Sequence, residues 1–222
     1  MEEVVVSSVP ANTAGGTTRL DRRKARTRQA LIDAAVRLIA EGRGDRASIQ
    51  EITEEADIGF GSFYNHFESK ELLFETASSE ILERWGQLID QATAGLSDPA
   101  EVFSVGIRLS ARLSWTHPEV ARFITGAGLE LLEVPGGLAP RALRDIEAGK
   151  ASGQFSVAHG EIALSAVAGG LIGLLRLHQQ HPEQIDESAV DELAEVCLRL
   201  LGLPTAKAKR LARLPLPATD PW

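Results

Sequence analysis

The sequence predicts an all-α protein in which a small N-terminal unit of three helices is followed by a larger helical domain. Three observations predict it. Apolar residues recur at spacings of three and four between residues 31 and 201, no stretch alternates with the period of a strand, and Gly or Pro cuts the pattern into pieces of helical length. With 222 residues, 44% of them hydrophobic, the chain has the length for two units and the apolar surface for a sizeable core. A single cysteine, Cys197, excludes an intramolecular disulfide framework, and acidic Met1-Glu2-Glu3 before the short run Val4-Val5-Val6 lacks the pattern of a secretory signal. The longest apolar stretch, 162–175, falls short of the roughly 20 residues that cross a bilayer, so no membrane partner is expected. The expected compartment is the cytoplasm.

Taken in order, residues 1–18, with Ser7-Ser8, Pro10 and Gly15-Gly16, are expected to be a disordered N-terminal tail. A helix follows over about 21–41, with Leu31, Ala34, Ala35 and Leu38 on one face and Gly42 just past its end as a C-cap. Ser48 then precedes an apolar pattern and Glu51 comes three residues later, a capping box that opens a helix with Ile49, Ile52 and Ala56 on one side. Asp57 tolerates a left-handed backbone and Gly59 stands close behind, which makes a tight turn. A second short helix starts near Phe60. Phe63 and Phe67 lie four apart and face inward, leaving Gly61, Ser62, Tyr64, Asn65 and His66 on the surface.

That surface carries a phenol, an amide, an imidazole and a small hydroxyl in five positions, beside a glycine that allows close approach. Phosphate oxygens and base edges ask for that inventory of donors when a short helix lies in a major groove. The net charge of −8 argues against a nucleic-acid partner, but its distribution does not. Residues 19–46 hold nine Lys or Arg (Arg19, Arg22, Arg23, Lys24, Arg26, Arg28, Arg37, Arg43, Arg46) against four acids, a local balance of +5. Attraction to phosphate is screened over about 10 Å at ordinary salt, so the local patch matters more than the total.

Ser69 caps a long helix over about 70–94 whose positions Leu72, Leu73, Ala77, Ile81, Trp85, Leu88 and Ile89 repeat at helical spacing. The next, about 100–116, is apolar on nearly every side and is expected to be wrapped by others. Pro118 opens a helix that Gly126 and Gly128 kink or divide, and the loop Pro135-Gly136-Gly137 leads to a helix over about 139–151. Two longer helices, about 161–180 and 188–201, close the domain. In the first of them Ala166, Gly169, Gly170 and Gly173 form a row of small residues that admits another helix closely, the chain's own helix at 100–116 being the plainest partner. Residues 204–222, rich in Ala, Lys, Arg and Pro, are expected to be a loosely held tail.

The run Ile58-Gly59-Phe60-Gly61-Ser62-Phe63-Tyr64-Asn65-His66-Phe67-Glu68-Ser69-Lys70-Glu71-Leu72-Leu73 resembles the recognition helix and following helix start of the TetR (tetracycline repressor) family of transcriptional regulators, and 27–35 resembles that family's first helix. The resemblance implies an N-terminal three-helix helix-turn-helix DNA-binding domain (19–72) followed by a larger helical ligand-binding and dimerisation domain (73–203). It implies a repressor that occupies a palindromic operator on double-stranded DNA as a homodimer and is released by a small-molecule inducer. Arg28, Ser48, Gln50, Phe60, Gly61, Ser62, Tyr64, Asn65, His66 and Lys70 are the expected DNA contacts, with Ser62, Tyr64, His66 and Lys70 on phosphates and Gln50, Phe60 and Asn65 reading bases. Gly59 stands where the family often has a Ser or Thr cap, and Phe60 where a polar or basic residue is common; Phe60 either touches a thymine methyl or packs inward.

For the larger domain, family resemblance implies a ligand pocket, for which Trp85, Phe103, Ile107, Ser110, Ser114, Trp115, Phe123, Thr125 and Leu171 offer large apolar groups and a few hydroxyls; the same residues would equally make a plain helical core. It also implies a four-helix bundle across a two-fold axis, formed from Ala166, Gly169, Gly170, Gly173, Leu193, Cys197 and Leu200. Arg108 and Arg112, one turn apart, could clamp an anion but read more readily as a solvated face. His178 and His181 suit a helix end better than a metal, and Cys197 in an apolar seam reads as a buried, unreactive thiol. No catalytic residues, metal or cofactor are expected. Alternatives to a ligand-released repressor are a helix-turn-helix regulator controlled by a protein partner, a helical enzyme or metal protein carrying the fold, and a protein-interaction module.

Overall fold

The computed structural model describes residues 18–134 and 136–218, so the expectations for residues 1–17, Pro135 and 219–222 lie outside the described residues. Every described element is helical: α1 (Arg19–Ala40), α2 (Ile49–Glu55), α3 (Lys70–Thr93), α4 (Pro99–Thr116), α5 (Pro118–Ala127), α6 (Leu138–Ala151), α7 (Gly160–Gln180), α8 (Ser188–Leu200) and α9 (Thr205–Ala212), with 3-10 turns at Gly44–Arg46, Phe60–Asn65 and Gly128–Leu132.

α1 begins two residues earlier than its periodicity suggests, because Thr18 accepts from the Asp21 amide while the Asp21 carboxylate accepts from the Thr18 N–H, a second capping box. Thr18 is therefore part of a helix cap and not of a tail. At the other end Gly42 takes φ +70°, the left-handed geometry that releases the chain from a helix without a Cβ penalty. Leu31, Ile32 and Leu38 of α1 close over Ile52 of α2, over Phe63 and Phe67, and over Leu73 and Ala77 of α3 to form the core of the N-terminal unit.

α4 is the axis of the larger domain. Its Leu109 and Leu113 pack with Ile81, Leu82, Trp85 and Ile89 of α3, Val120 and Ile124 of α5, and Leu175 of α7. Its Phe103 and Ile107 join Ile146 of α6, Val167 of α7, Leu198 of α8 and Leu211 of α9 in a second cluster. Pro99 at the first helical position costs α4 no hydrogen bond, and Asp98 caps it. α5 ends at Gly128 (φ +63°), so the divided helix that Gly126 and Gly128 suggest is a five-residue 3-10 turn after an α-helix.

The C-terminal segment is not loosely held. Ala208, Leu211 and Ala212 of α9 are buried, Ser104 Oγ donates to the Leu211 carbonyl (3.2 Å), and Arg108 donates to that of Leu214 (2.6 Å). Lys207, Lys209 and Arg210 hide a short apolar row in the composition of this segment. Arg108 itself is buried, not solvated: it pairs with Asp191 of α8 (2.9 Å), while Arg112 meets Glu187. The two arginines tie α4 to α8.

α7 spans 21 residues and by length and composition alone could cross a membrane. In the fold its inner face, Ala163, Leu164, Val167, Leu174 and Leu175, is covered by other helices, and its outer face is left open.

Candidate nucleic-acid interface and an apolar cavity

The reading element is built by local chemistry. In the α2 cap the Ser48 amide and hydroxyl both donate to the Glu51 carboxylate (2.8 and 2.9 Å) and the Glu51 amide donates back to Ser48 Oγ (3.2 Å). The Ser48 backbone and side-chain bonds, with Arg43 beside them, hold the Glu51 carboxyl below its ordinary range. The Ser48 hydroxyl proton is thus engaged within the helix cap. The Gln50 amide likewise donates to Glu54 (2.9 Å) on its own helix.

Asp57 is the residue that turns the chain, at φ 52°, and the Ile58 amide closes the turn onto the Thr53 carbonyl (3.0 Å). Gly59 has an ordinary extended backbone, and a Cβ there would meet open space, so the turn does not require glycine. The recognition segment is a 3-10 turn, Phe60–Asn65, shorter and tighter than the helix its sequence suggests. Phe63 is fully buried and Phe67 nearly so. Tyr64 stands with an edge against Phe63 (5.3 Å between centroids) and is 59% exposed. Phe60 is 54% exposed and edge-on to Tyr64 (6.4 Å), so it points outward. Gly61 and Asn65 are exposed; Ser62, His66 and Lys70 are half-buried beside them.

The basic run of α1 flanks this surface. Arg19, Arg22, Arg23, Lys24, Arg26 and Arg28 are all exposed. The Arg28 guanidinium lies 4.9 Å above the Phe67 ring, which fixes its height relative to the recognition turn. Burial, then the charges of Lys24 and Arg28, hold the His66 imidazole below its ordinary pKa of 6.5. A phosphate arriving here meets donors and positive charge together.

From this surface α3 runs 24 residues, about 36 Å, into the larger domain. Beside its far half lies a cavity of about 110 Å³, walled by Leu82 and Ile89 of α3 with residues of α4, α5, α6 and α7. The wall is apolar except for Ser110, Arg141 and Asp145. Ser110 Oγ accepts from Trp85 Nε1 at 3.5 Å. Asp145 pairs with Arg144 (2.9 Å), and burial, the larger effect, pushes its carboxyl up. Arg141 is bound to Glu83 and Asp90 of α3.

Of the residues expected at a ligand pocket, Phe103, Ile107, Ser110 and Leu171 line this cavity, and Trp85 stands behind Ser110. The others lie elsewhere. Ser114 is buried one turn further along α4, its hydroxyl without a hydrogen-bond partner among the described residues. Trp115 stacks on His178 (4.0 Å), Phe123 lines a separate cleft between α3 and α5, and Thr125 donates to Gln179 (3.1 Å). Arg141 and Asp145 are the members that sequence reasoning missed. Their only signal was an i, i+4 charged pair on a helix that reads as an ordinary solvated one.

The expected bundle residues also divide. Ala166 and Gly169 of α7 and Leu200 of α8 are exposed and Gly173 is half-buried, and a Cβ on Gly169 or Gly173 would meet nothing. Gly170 faces its own chain, where an added Cβ would lie 3.3 Å from Leu193 Cδ1, and Cys197 is buried in the core. Burial pushes the Cys197 thiol up to about 12, which keeps it protonated and a poor nucleophile. Ile162, Leu177 and Val196, not singled out by the sequence, extend the open apolar face along α7 and α8. Among the described residues no group of three or more His, Cys, Asp or Glu is placed to hold a metal.

Comparison with known proteins agrees with this architecture. Residues 31–77 match the family described as bacterial regulatory proteins, tetR family, and residues 98–214 match the tetracyclin repressor-like C-terminal domain. The crystal structure of RolR in complex with resorcinol is similar to the chain, with 33% identity, a TM-score of 0.72, and coverage of 90% of this chain and 99% of that one. RolR without ligand is similar too, at 32% identity and a TM-score of 0.70, over 86% and 100% of the two chains. The fatty acid degradation regulator FadR from Bacillus halodurans shares the fold at 22% identity and a TM-score of 0.64, over 79% and 95%. No curated protein matches the chain in sequence.

Proposed function

Since the chain belongs to the TetR family of DNA-binding transcription regulators, we propose that it is a repressor that holds a palindromic operator as a homodimer and lets go when a small hydroxylated ring fills the α3–α7 cavity. The observation that carries this reading is the course of α3. One helix starts at the Ser69 cap, directly after the recognition turn, and its Leu82 and Ile89 form a wall of the cavity. A ligand that prefers one tilt of α3 therefore acts on the spacing of the two reading elements, which must match half-sites about 34–36 Å apart.

The homodimer is supported by the open face of α7 and α8, where Ile162 and Val196 are 68% and 57% exposed around the Gly169–Gly173 groove. Apolar side chains lining a row without Cβ atoms suit close packing against a twin helix. On DNA, Tyr64, Ser62, His66 and Lys70 meet phosphates, with Arg28 behind them, and Asn65 and Phe60 face base edges. Ser48 serves chiefly as the cap of α2, and Gln50 reads a base only after leaving Glu54.

The ligand class follows from the cavity's chemistry. An apolar cavity of about 150 Å³ suffices to bind benzene, so one of about 110 Å³ that relaxes slightly takes a single ring. Its polar groups sit on different helices, Ser110 on α4 and Asp145 on α6, and a ring hydroxyl would donate to the Asp145 carboxylate. RolR, whose structure holds resorcinol, has this kind of ligand. The test is a fluorescence-anisotropy titration against duplex DNA from upstream of the protein's own reading frame, with and without resorcinol. Binding that resorcinol and related phenols weaken in the wild type, and not in Asp145→Ala, is expected. DNA binding indifferent to every phenol would reject the ligand assignment, and no binding at low salt would reject the docking.

A further inference from the structure

Gly86 is buried in the middle of α3, where glycine is the poorest helix former after proline. A Cβ at this position would lie 2.7 Å from Arg141 Nη1, 2.8 Å from Cζ and 2.8 Å from Nε. The guanidinium thus rests on the bare backbone of α3. From that seat Nε donates to Asp90 (2.7 Å), Nη1 donates to Glu83 (2.9 Å) and to the Gly137 carbonyl (2.7 Å), and Nη2 donates to Glu83 (2.8 Å). Glu83 and Asp90 lie three residues before and four after Gly86, one turn to each side, so the planar group spans two turns of the helix. The Gly137 amide adds a bond to Glu83 (3.2 Å), and these bonds hold the Glu83 carboxyl down to about 2.

Arg141 also lines the cavity, and one of its five N–H donors is not used in this clamp. α3 is fastened a second time nearer the reading element, where the Gln29 amide of α1 donates to Glu80 (2.9 Å). We infer that Gly86 is the seat through which occupancy of the cavity is transmitted to the DNA-reading element: Arg141 couples ligand to α3, and the missing Cβ is what lets the guanidinium grip both turns. The inference rests on the ligand reading above. Arg141 is a positioning residue in this scheme, acting on DNA through α3. From Gly86 to Lys70 the helix runs about 24 Å, so a tilt of about 5° at the seat moves the reading end by about 2 Å.

The experiment measures coupling, the ratio of DNA dissociation constants with and without saturating resorcinol, alongside resorcinol binding itself by calorimetry. Gly86→Ala favours the helix, so loss of folding is not the expected outcome. It is expected to bind resorcinol within about threefold of wild type while its coupling ratio falls at least about tenfold. Arg141→Met is expected to lose coupling equally, and Gly86→Ala on the Arg141→Met background to lose no more, since the glycine acts through the arginine. Gly126→Ala, where a Cβ meets open space, serves as the control and keeps wild-type coupling. Gly86→Ala that binds resorcinol and still releases DNA like wild type overturns the inference and leaves the ligand reading standing. A wild type that resorcinol neither binds nor releases overturns both.

Discussion

Lys24→Ala should make DNA binding less sensitive to salt without weakening the fold. Lys24 is exposed on α1, and its charge reaches the recognition turn strongly enough to act on His66. In a two-fold dimer one substitution removes two phosphate contacts. Each contact on duplex DNA contributes about 0.9 to the slope of log K against log salt, so the slope should shrink by about 1.8. Between about 50 and 200 mM salt the wild type should therefore lose about twelvefold more affinity than the variant. The assay is an anisotropy series over salt with the upstream duplex and with a scrambled duplex of equal length. Because phosphates carry no sequence, both duplexes should change in parallel, and thermal denaturation of the free protein should be unaltered. Asn65→Ala is the contrasting variant: a base contact is worth about 1–3 kcal/mol of discrimination, lost on the upstream duplex alone. An unchanged slope for Lys24→Ala on both duplexes would refute the placement of the basic run against the DNA backbone.

Val196→Glu should leave the protomer folded, since the side chain is 57% exposed there, but should yield a monomer by light scattering and lower operator affinity at least about tenfold. Burial, then the charges of Lys24 and Arg28, hold the His66 imidazole below its ordinary range and so favour its neutral form in the free protein; a bound phosphate would draw the proton back, the complex would hold more protons than the free partners, and affinity should rise as pH falls from about 7.5 to 6. His66→Gln should flatten that profile, and a wild-type profile already flat would remove His66 from the phosphate contacts. Phe63→Ala empties a fully buried site between α1, α2 and α3 and should cost about 3–5 kcal/mol, read as a lower denaturant midpoint together with loss of DNA binding.

The parts of the site that were legible in the sequence are those decided within a turn or two of chain. Ser48 and Glu51 form their cap whatever lies beyond them, Gly42 ends α1, Asp57 turns left-handed, and the spacing of Phe63 and Phe67 turns Tyr64 and Asn65 outward. Even here the 3-10 geometry of Phe60–Asn65 and the outward Phe60 were open, because six residues do not distinguish a tight turn from the start of a helix. The cavity was less legible. Phe103, Ile107 and Ser110 share a face of α4 and could be grouped, but Trp115 and Thr125 answer to α7 neighbours that no local pattern reveals.

By itself, then, the sequence determined the helices between α1 and α8 to within a few residues, the caps at Ser48 and Ser69, the inward Phe63 and Phe67 and the family, since each depends on hydrogen bonds and apolar spacing among near neighbours. Only the tertiary structure decided that Arg108 is buried against Asp191, that α9 is held by Ser104 and Arg108, and that Arg141 lies across Gly86 while Asp145 faces an apolar cavity. A charged side chain reads the same in one dimension whether it meets water or a carboxylate from a helix some 50 to 80 residues away; the cost of desolvating it, and the partner that offsets that cost, exist only once the helices have packed.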